Sequence, residues 1–462
     1  MARKLDGTVL CAILVSCGTC VGTAHGQGEP VANDPPLAEA GDLTGLAEIM
    51  IGPQNLPGRE KGERDRVPQP EEPANAPAKD EGTFWSRERL LGDLWGGRSW
   101  LESKGVTING SFTYHLTSVV DGGSNERASS RTLWDVNALI DLDVLAGWSG
   151  ASIFANFQSS DDRGRLGDSG SFQLPGNIEY GRNIDEVGEL WLEQKAFDDV
   201  LRVKVGKIDA NSEFGYVNAA GDFLNGSASV SPTVQMLPTV PAQATGVVVF
   251  VYPWEKVYVG GGFFDGATQD GIRTGGRGPA DFFSDSRSDS WYWIGEVGCG
   301  WTLESMGDGR VALGGWHATG DFARFDADIE KGTEGLYALA EQQVWASDKD
   351  DSDKGVFVFA QYGWADKDLA LIGQHVGVGA AWRGICEPRQ DDSMGLYWSL
   401  ADVSKGSLTG ADRDEHAFEV YYKAQITPWV YVQPNAQFFI NPSGRSGIDD
   451  STVLGLQVGL TF

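Results

Sequence analysis

The chain ends "STVLGLQVGLTF", in which Leu454, Leu456, Val458, Leu460 and Phe462 alternate with Gly455, Gln457, Gly459 and Thr461. A period of two predicts a strand with one apolar face and one polar or small face. Read the same way, the chain from Val106 to Phe462 resolves into sixteen strands, an even number, separated by turn-forming stretches. Their connections alternate in length. "AGWS", "FDDV", "PWE", "ESMGD" and "TPW" are tight, and residues 118–131, 160–184, 210–243, 265–289, 320–334, 403–413 and 441–450 are long. Only "SDKDDSDKG" and "ADKDLA" break the alternation. Short turns on one rim and long loops on the other are the signature of an up-and-down transmembrane β-barrel.

Individual strands show which residues share a face. Over 132–145, "TLWDVNALIDLDV" sets Trp134, Val136, Ala138, Ile140, Leu142 and Val144 against Asp135, Asn137, Asp141 and Asp143. In "EVGELWLEQKAFDDVLRVKVGKID" the residues Leu190, Leu192, Leu201, Val203 and Val205 are apolar on one side. Glu189, Trp191, Glu193, Lys195, Arg202 and Lys204 take the other. A turn centred on Asp198 and Asp199 places Glu193 opposite Lys204 and Lys195 beside Arg202, a mixed charge ladder. In bulk solvent such pairs contribute only ~0 to 1 kcal/mol. Lining a pore, they set a transverse field and hydrogen-bond hydroxyl-rich solutes. Near the C-terminus Glu415, Glu419, Tyr421, Lys423 and Gln425 share a face that Gln433, Asn435 and Gln437 continue across the next turn. Carboxylates, amides and flat rings together suit a sugar, through its vicinal hydroxyls and its C–H face.

Composition narrows the choice. Sixty-two Gly, 16 Trp, 12 Tyr and 21 Phe beside 41% hydrophobic residues favour strands and turns over helical bundles. Beyond the N-terminus there is no apolar run long enough to be a spanning helix. Residues 1–26 read as an export signal: Arg3 and Lys4 precede an apolar core from Val9 to Val21, and small residues suit cleavage before Gln27. The rival reading is a lipoprotein signal at Cys17. Cleavage removes two positive charges and one negative, taking the net charge from −29 to −30. It also leaves only Cys299 and Cys386, which alternation places on apolar strand faces. Residues 27–80, rich in Pro, Glu, Asp and Ala, read as a flexible leader. Residues 81–105 read as a short amphipathic helical stretch broken at Gly96 and Gly97, and 106–462 as the barrel domain. So acidic a chain excludes nucleic acid as a partner.

The barrel resembles the carbohydrate-selective porins of Gram-negative outer membranes, the OprB-like family. The resemblance rests on "LLGDLWGGRSWLESKGV", "ELWLEQ" followed by "LRVKVGKID", "DFLNGSASVSPT" with "LPTVPAQATG", and "EVYYKAQITPWVYVQPNAQFFINPSG". It departs where Leu94 separates Asp93 from Trp95. The resemblance implies a 16-stranded outer-membrane channel for passive diffusion of small neutral sugars, narrowed by inward loops. The stretch 210–243, stiffened by Pro232, Pro238 and Pro241, is the expected constriction. The expected pore-lining residues are Glu189, Trp191, Glu193, Arg202, Lys204, Glu419, Tyr421, Lys423, Gln433, Asn435 and Gln437. Outer-membrane lipid is the expected partner of the apolar faces, and the strand ending at Phe462 is the expected handle for the barrel-assembly machinery.

Three other readings make distinct expectations. A cation-preferring general pore would use the carboxylates of "DVNALIDLD". A surface-anchored β protein would turn its apolar strand faces inward. An enzyme would need a nucleophile or metal motif, and His115, His317, His375 and His416 lie in none. No cofactor motif is present. "SDKDDSDKG" lacks the glycine and final Glu of a calcium loop and reads as a solvated turn.

Overall fold

A computed structural model describes residues 83–162, 167–266, 290–304, 306–325, 328–347, 353–405 and 409–462. The period-two segments pair in sequence order as antiparallel neighbours, and the last pairs with the first to close a barrel. The strands are β1 (Val106–Gly123), β2 (Ala128–Asp141), β3 (Ala151–Asp162), β4 (Ile184–Ala196), β5 (Leu201–Ile208), β6 (Ala244–Trp254), β7 (Val257–Asp265) and β8 (Trp291–Leu303). The second half supplies β9 (Gly307–Ala323), β10 (Ile329–Ala346), β11 (Gly355–Ala365), β12 (Ile372–Arg383), β13 (Ser393–Val403), β14 (Glu415–Thr427), β15 (Val430–Ile440) and β16 (Asp449–Thr461). All sixteen expected strands are present.

Closure explains the alternating C-terminus. Thr461 pairs with Ser111, Leu460 with Phe112 and Val458 with Tyr114. Two further main-chain bonds, Gly110 N to Phe462 O at 3.0 Å and Phe462 N to Gly110 O at 2.8 Å, carry the seam to the last residue. Gly110 has no side chain because the Phe462 ring occupies that space, 2.3 Å from where a Cβ would stand. The ring also lies 5.9 Å from Trp134, which packs 4.6 Å from Phe112.

The alternation resolves with the apolar side outward. Leu313, Leu336, Leu396, Val259 and Leu454 are exposed, while Asp135, Glu189, Glu419 and Gln433 are buried inside. This is opposite to a soluble sandwich and to the surface-anchored alternative, which bury the apolar face. Such a wall is stable only in an apolar surrounding.

Several expected boundaries need correction. Residues 142–145 are not strand: the Asp141 side chain accepts from Asp143 N at 2.8 Å and Val144 N at 3.2 Å, which starts helix α2 (Leu142–Ala146). Asp141 therefore ends β2 as the N-cap, and Asp143 belongs to the turn. The 118–131 connection shrinks to residues 124–127, because β2 pairs with β1 as far as Ser118↔Ala128 and β1 runs on to Gly123 against β16. Likewise β9 and β10 extend into the expected 320–334 loop. Residues 366–371 form a short connection on the long-loop rim, as their sequence indicated. Cys386 sits in the β12–β13 turn, bridged to Arg389, rather than on a strand; both cysteines are free and exposed. Residues 1–82 and much of "SDKDDSDKG" lie outside the described residues. Within the expected 81–105 helical stretch, among its described residues 83–105 only α1 (Gly97–Glu102) is helical. Left-handed Leu94, Trp95 and Gly96 precede it.

The interior is filled by two long connections from the same rim, 167–183 and 209–243. The second contains helix α3 (Gly226–Ser229) and contributes Phe214, Val217, Phe223, Val230 and Val234 to the principal apolar cluster inside the wall.

Gly206 tests whether strand pairing demands its lack of a side chain. Its φ is +142°, and a Cβ would lie 2.2 Å from Leu190 O and 2.7 Å from Trp191 Cα. Gly206→Ala is expected to lower unfolding stability by about 1–3 kcal/mol. Gly447→Ala, where nothing lies within 4 Å, should change it by less than ~0.5 kcal/mol. Denaturant titration of the detergent-folded chains checks both.

Candidate functional site

The β4–β5 hairpin forms in the expected register, with Glu193 opposite Lys204 and Lys195 opposite Arg202. Lys195 is exposed at the strand end, and the other charges point inward. The cluster gains a member from the 209–243 connection. Glu213 accepts from Lys204 Nζ at 2.6 Å through Oε1 and from Arg202 through Oε2, while Glu193 Oε2 lies 3.3 Å from Arg202 and 3.6 Å from Lys204. Each cation also rests on a ring: Lys204 Nζ is 3.7 Å from the Trp191 centroid and Arg202 Cζ is 4.7 Å from that of Phe250. Burial pushes the Glu213 carboxyl up, but Arg202 and Lys204 outweigh it and hold the group at about 2. Glu189, buried, accepts from Trp191 Nε1 at 3.1 Å and Asp209 N at 3.2 Å, which fixes the entry of the connection.

The β14–β15 residues face inward as the pattern indicated, and they hold the same connection. Glu419 accepts from Leu224 N at 2.9 Å, Asn225 N at 2.8 Å and Asn435 Nδ2 at 3.2 Å. Gln433 donates to Asp222 O at 2.6 Å, and Lys423 Nζ meets Asp222 Oδ1 at 2.8 Å. Gln437 donates to Pro175 O at 2.6 Å and accepts from Asn225 Nδ2 at 2.9 Å, touching both inward connections. Tyr421 is buried edge-on to Phe223, 4.8 Å between centroids. Gln425 lies at the turn end, where its amide donates to Thr427 O at 2.8 Å.

Sequence reasoning missed the wall residues that complete this grip. Glu296 on β8 accepts from Gly215 N at 2.8 Å, Tyr258 Oη at 2.5 Å and Tyr337 Oη at 2.8 Å. Glu341 on β10 accepts from Ala219 N and Arg310 Nε, both at 2.8 Å. Arg310 also donates to Tyr216 O, and Arg383 on β12 donates to Asn218 O at 2.7 Å. All four reach the 209–243 connection from the inner face of the wall. Alternation could not show which inner residues meet the connection.

The 167–183 connection is a second plug element that the sequence reading did not single out. Buried Arg131 lies 3.0 Å from Asp162 and 2.7 Å from Glu179. Glu415 accepts from Phe172 N at 3.0 Å, Gln173 N at 3.1 Å and Ser171 Oγ at 2.8 Å. The two connections join through Gly226 N to Leu174 O at 2.9 Å and Ser227 Oγ to Gln173 Oε1 at 2.8 Å.

Three of the inward cations are more exposed than the carboxylates they pair with. Side chains of Arg202, Arg310 and Lys423 are 19–20% exposed, whereas their partners Glu213, Glu341 and Asp222 are 4–9% exposed. Carboxylates lie behind and cations reach the open space. Asp135, expected in the wet lumen, is buried among amides from Asn156 at 2.8 Å and Gln158 at 2.9 Å. Among the described residues, no group of three or more His, Cys, Asp and Glu is placed to hold a metal. The histidines are scattered: His317 and Glu334 face outward, His416 stacks on Trp398, and buried His115 and His375 lie on separate strands.

Removing the Glu213 charge leaves Arg202 and Lys204 with Glu193 alone. Glu213→Gln is expected to raise the chloride-to-potassium permeability ratio roughly twofold, read as reversal potential across a KCl gradient in planar bilayers. Because Glu213 is held below its ordinary value, its contribution is present above that value and is lost as pH falls toward about 2. Acid should shift wild-type selectivity in the same direction and leave the variant less affected.

Residues 126–462 match the family described as carbohydrate-selective porin, OprB family. The chain is 23% identical to Porin B of Pseudomonas aeruginosa over 435 residues, covering 81% of this chain and 91% of the relative. It is also 23% identical to the putative porin QuiX of Acinetobacter baylyi over 428 residues, covering 82% and 94%. Among solved structures, OprB of Pseudomonas putida at high pH superposes with a TM-score of 0.73 at 20% identity, covering 82% of this chain and all of that one. At that identity the superposition speaks for the fold. The family match spans most of the chain and the whole of the closing strand, and with the inward-held constriction it supports one conclusion: the chain belongs to the OprB family of carbohydrate-selective porins.

Proposed function

We propose that this protein is an outer-membrane channel through which small neutral sugars diffuse passively, with the two inward connections setting the size limit. The observation that carries this reading is the arrangement of charge at the constriction. Arg202, Lys204, Arg310 and Lys423 are each matched to a carboxylate within hydrogen-bonding reach. A charge-balanced passage gives an ion little net attraction. The partly exposed guanidinium and ammonium groups still present donors to sugar hydroxyl oxygens.

Geometry adds preorganisation. Four inward cations lie over rings: Lys204 over Trp191, Arg202 over Phe250, Arg383 over Phe357 and Lys423 over Tyr431. A side chain held at a ring and by a carboxylate keeps its free N–H groups in place for a passing solute. Masking of Asp135 removes the feature that favoured a cation-preferring pore. Export by residues 1–26, residence in the outer membrane with the apolar wall in lipid, and assembly through the strand ending at Phe462 complete the reading.

Liposome swelling with the purified, detergent-folded chain tests it. Monosaccharides are expected to enter fast, with a sharp drop for larger sugars and a weak difference between neutral and charged solutes of one size. Entry that follows charge instead of size would replace the sugar reading with an ion-selective pore. Absence of swelling from protein shown to be folded would refute a channel.

A further inference from the structure

The 209–243 connection lies against the wall with one face and along the passage with the other. Phe214, Phe223 and Val230 are buried, whereas Tyr216, Asn218 and Pro232 keep partial exposure. How far the connection projects into the lumen therefore depends on how closely the wall lets it approach. Residues 222–225 are held at several points. Asp222 takes bonds from Ser393 Oγ at 2.9 Å, Lys423 Nζ at 2.8 Å and Gln433 Nε2 at 2.6 Å, and Glu419 accepts from Leu224 N and Asn225 N. Between them Phe223 enters a socket of three buried rings, with Tyr421 at 4.8 Å, Phe359 at 5.7 Å and Tyr397 at 5.8 Å between centroids.

The floor of that socket is a missing side chain. Gly395 on β13 pairs with Tyr421, and a Cβ there would stand 2.5 Å from Phe223 Cζ and 2.5 Å from Tyr421 Cε1, inside the contact distance of two carbons. Gly363 on β11 repeats the arrangement farther along the connection, where a Cβ would overlap Thr233 Oγ1 and Ser231 Oγ. Those two hydroxyls hydrogen-bond each other at 2.9 Å and are buried, in a turn closed by Val234 N to Ser231 O at 3.0 Å. Neither glycine has a positive φ, so the backbone at both positions accepts an L side chain. Glycine inside a strand weakens it, and its use there marks a close approach by another piece of chain. Here that piece is the connection.

We infer that Gly395 and Gly363 are size-determining residues of the channel, because the side chains they lack let Phe223 and the turn at Ser231 and Thr233 sit back into the wall and leave the passage open. Volume added at either position lifts the connection off the wall, and the face opposite the wall is the passage. Neither glycine meets the solute; each acts through the connection as a positioning residue. This rests on the sugar-channel reading above and names the wall positions that set its size limit.

The test is liposome swelling with a neutral monosaccharide and a neutral disaccharide, on full chains whose folding is checked by heat-modifiable migration in detergent gels. Gly395→Ala is expected to lower the disaccharide-to-monosaccharide rate ratio roughly twofold and Gly395→Leu roughly fivefold, with Gly363→Ala acting in the same direction. The alanine variants carry the test if the leucine variant does not fold. Gly261→Ala, on the outer face of β7 where a Cβ would meet only Ile294 O at 3.8 Å, should leave the ratio unchanged. Pairing Gly395→Leu with Phe223→Ala removes the ring that the leucine displaces and should restore the wild-type ratio. Such rescue separates positioning from general damage, which a second substitution in the same cluster would deepen. Wild-type ratios in folded alanine variants would overturn the inference and leave the channel reading intact. Narrowing that persists in the double variant would overturn it as well, in favour of a distorted barrel. A wild-type chain that admits neither sugar would remove the channel reading itself, and this inference with it.

Discussion

Closure of the β1–β16 seam is the constraint on which the other features rest. A sheet edge in hydrocarbon would leave a row of N–H and C=O groups without water, at a cost of several kcal/mol each. The chain therefore has to bring its last strand back to its first, across the whole sequence. Gly110, Phe462, Phe112 and Trp134 form that join from a missing side chain, a terminal carbonyl and three rings. With the edge closed, the outer face is largely apolar and most carboxylates and amides of the wall are turned inward.

Turning them inward creates a second problem, since carboxylates gathered in a narrow lumen repel one another and lose water. The two inward connections relieve this. Glu296, Glu341, Glu415 and Glu419 each accept main-chain N–H groups from 167–183 or 209–243, so wall charge and loop backbone satisfy each other. One set of bonds thus fixes the inward connections and replaces the water the wall carboxylates have lost. The cations that complete the grip stay more exposed than the carboxylates that hold them, so the passage is charge-balanced yet still offers N–H donors. Channel geometry and loop anchoring are the same interaction seen from two sides.

The seam also gives residues 83–105 their place. Barrel strands fix Leu90 and Phe84 through Thr461 and Trp429. The same segment directs Arg89 and Arg98 at the barrel and leaves Trp95 and Trp100 exposed.

A good part of this was legible in the sequence, because alternation is local. A period of two marks each strand and its two faces without reference to any other residue, so sixteen strands and the Glu193–Lys204 register follow from spacing and turn residues alone. Local chemistry also misled: alternation ran through Asp141 to Val144, where an N-cap ends the strand, and it put Cys386 on a strand when it lies in a turn. Asp135 read as a wet carboxylate because no sequence feature shows the amides of Asn156 and Gln158 closing over it. The roles of the inner residues belong to tertiary structure. Glu296 meets Gly215 across 81 positions and Glu415 meets Ser171 across 244, so neither partner leaves a mark beside the other. The sequence by itself determined the strands, their faces and the family. Only the folded barrel decided which inner carboxylates grip the connections and which cations face the passage, because those choices arise where distant segments compete for the same enclosed space.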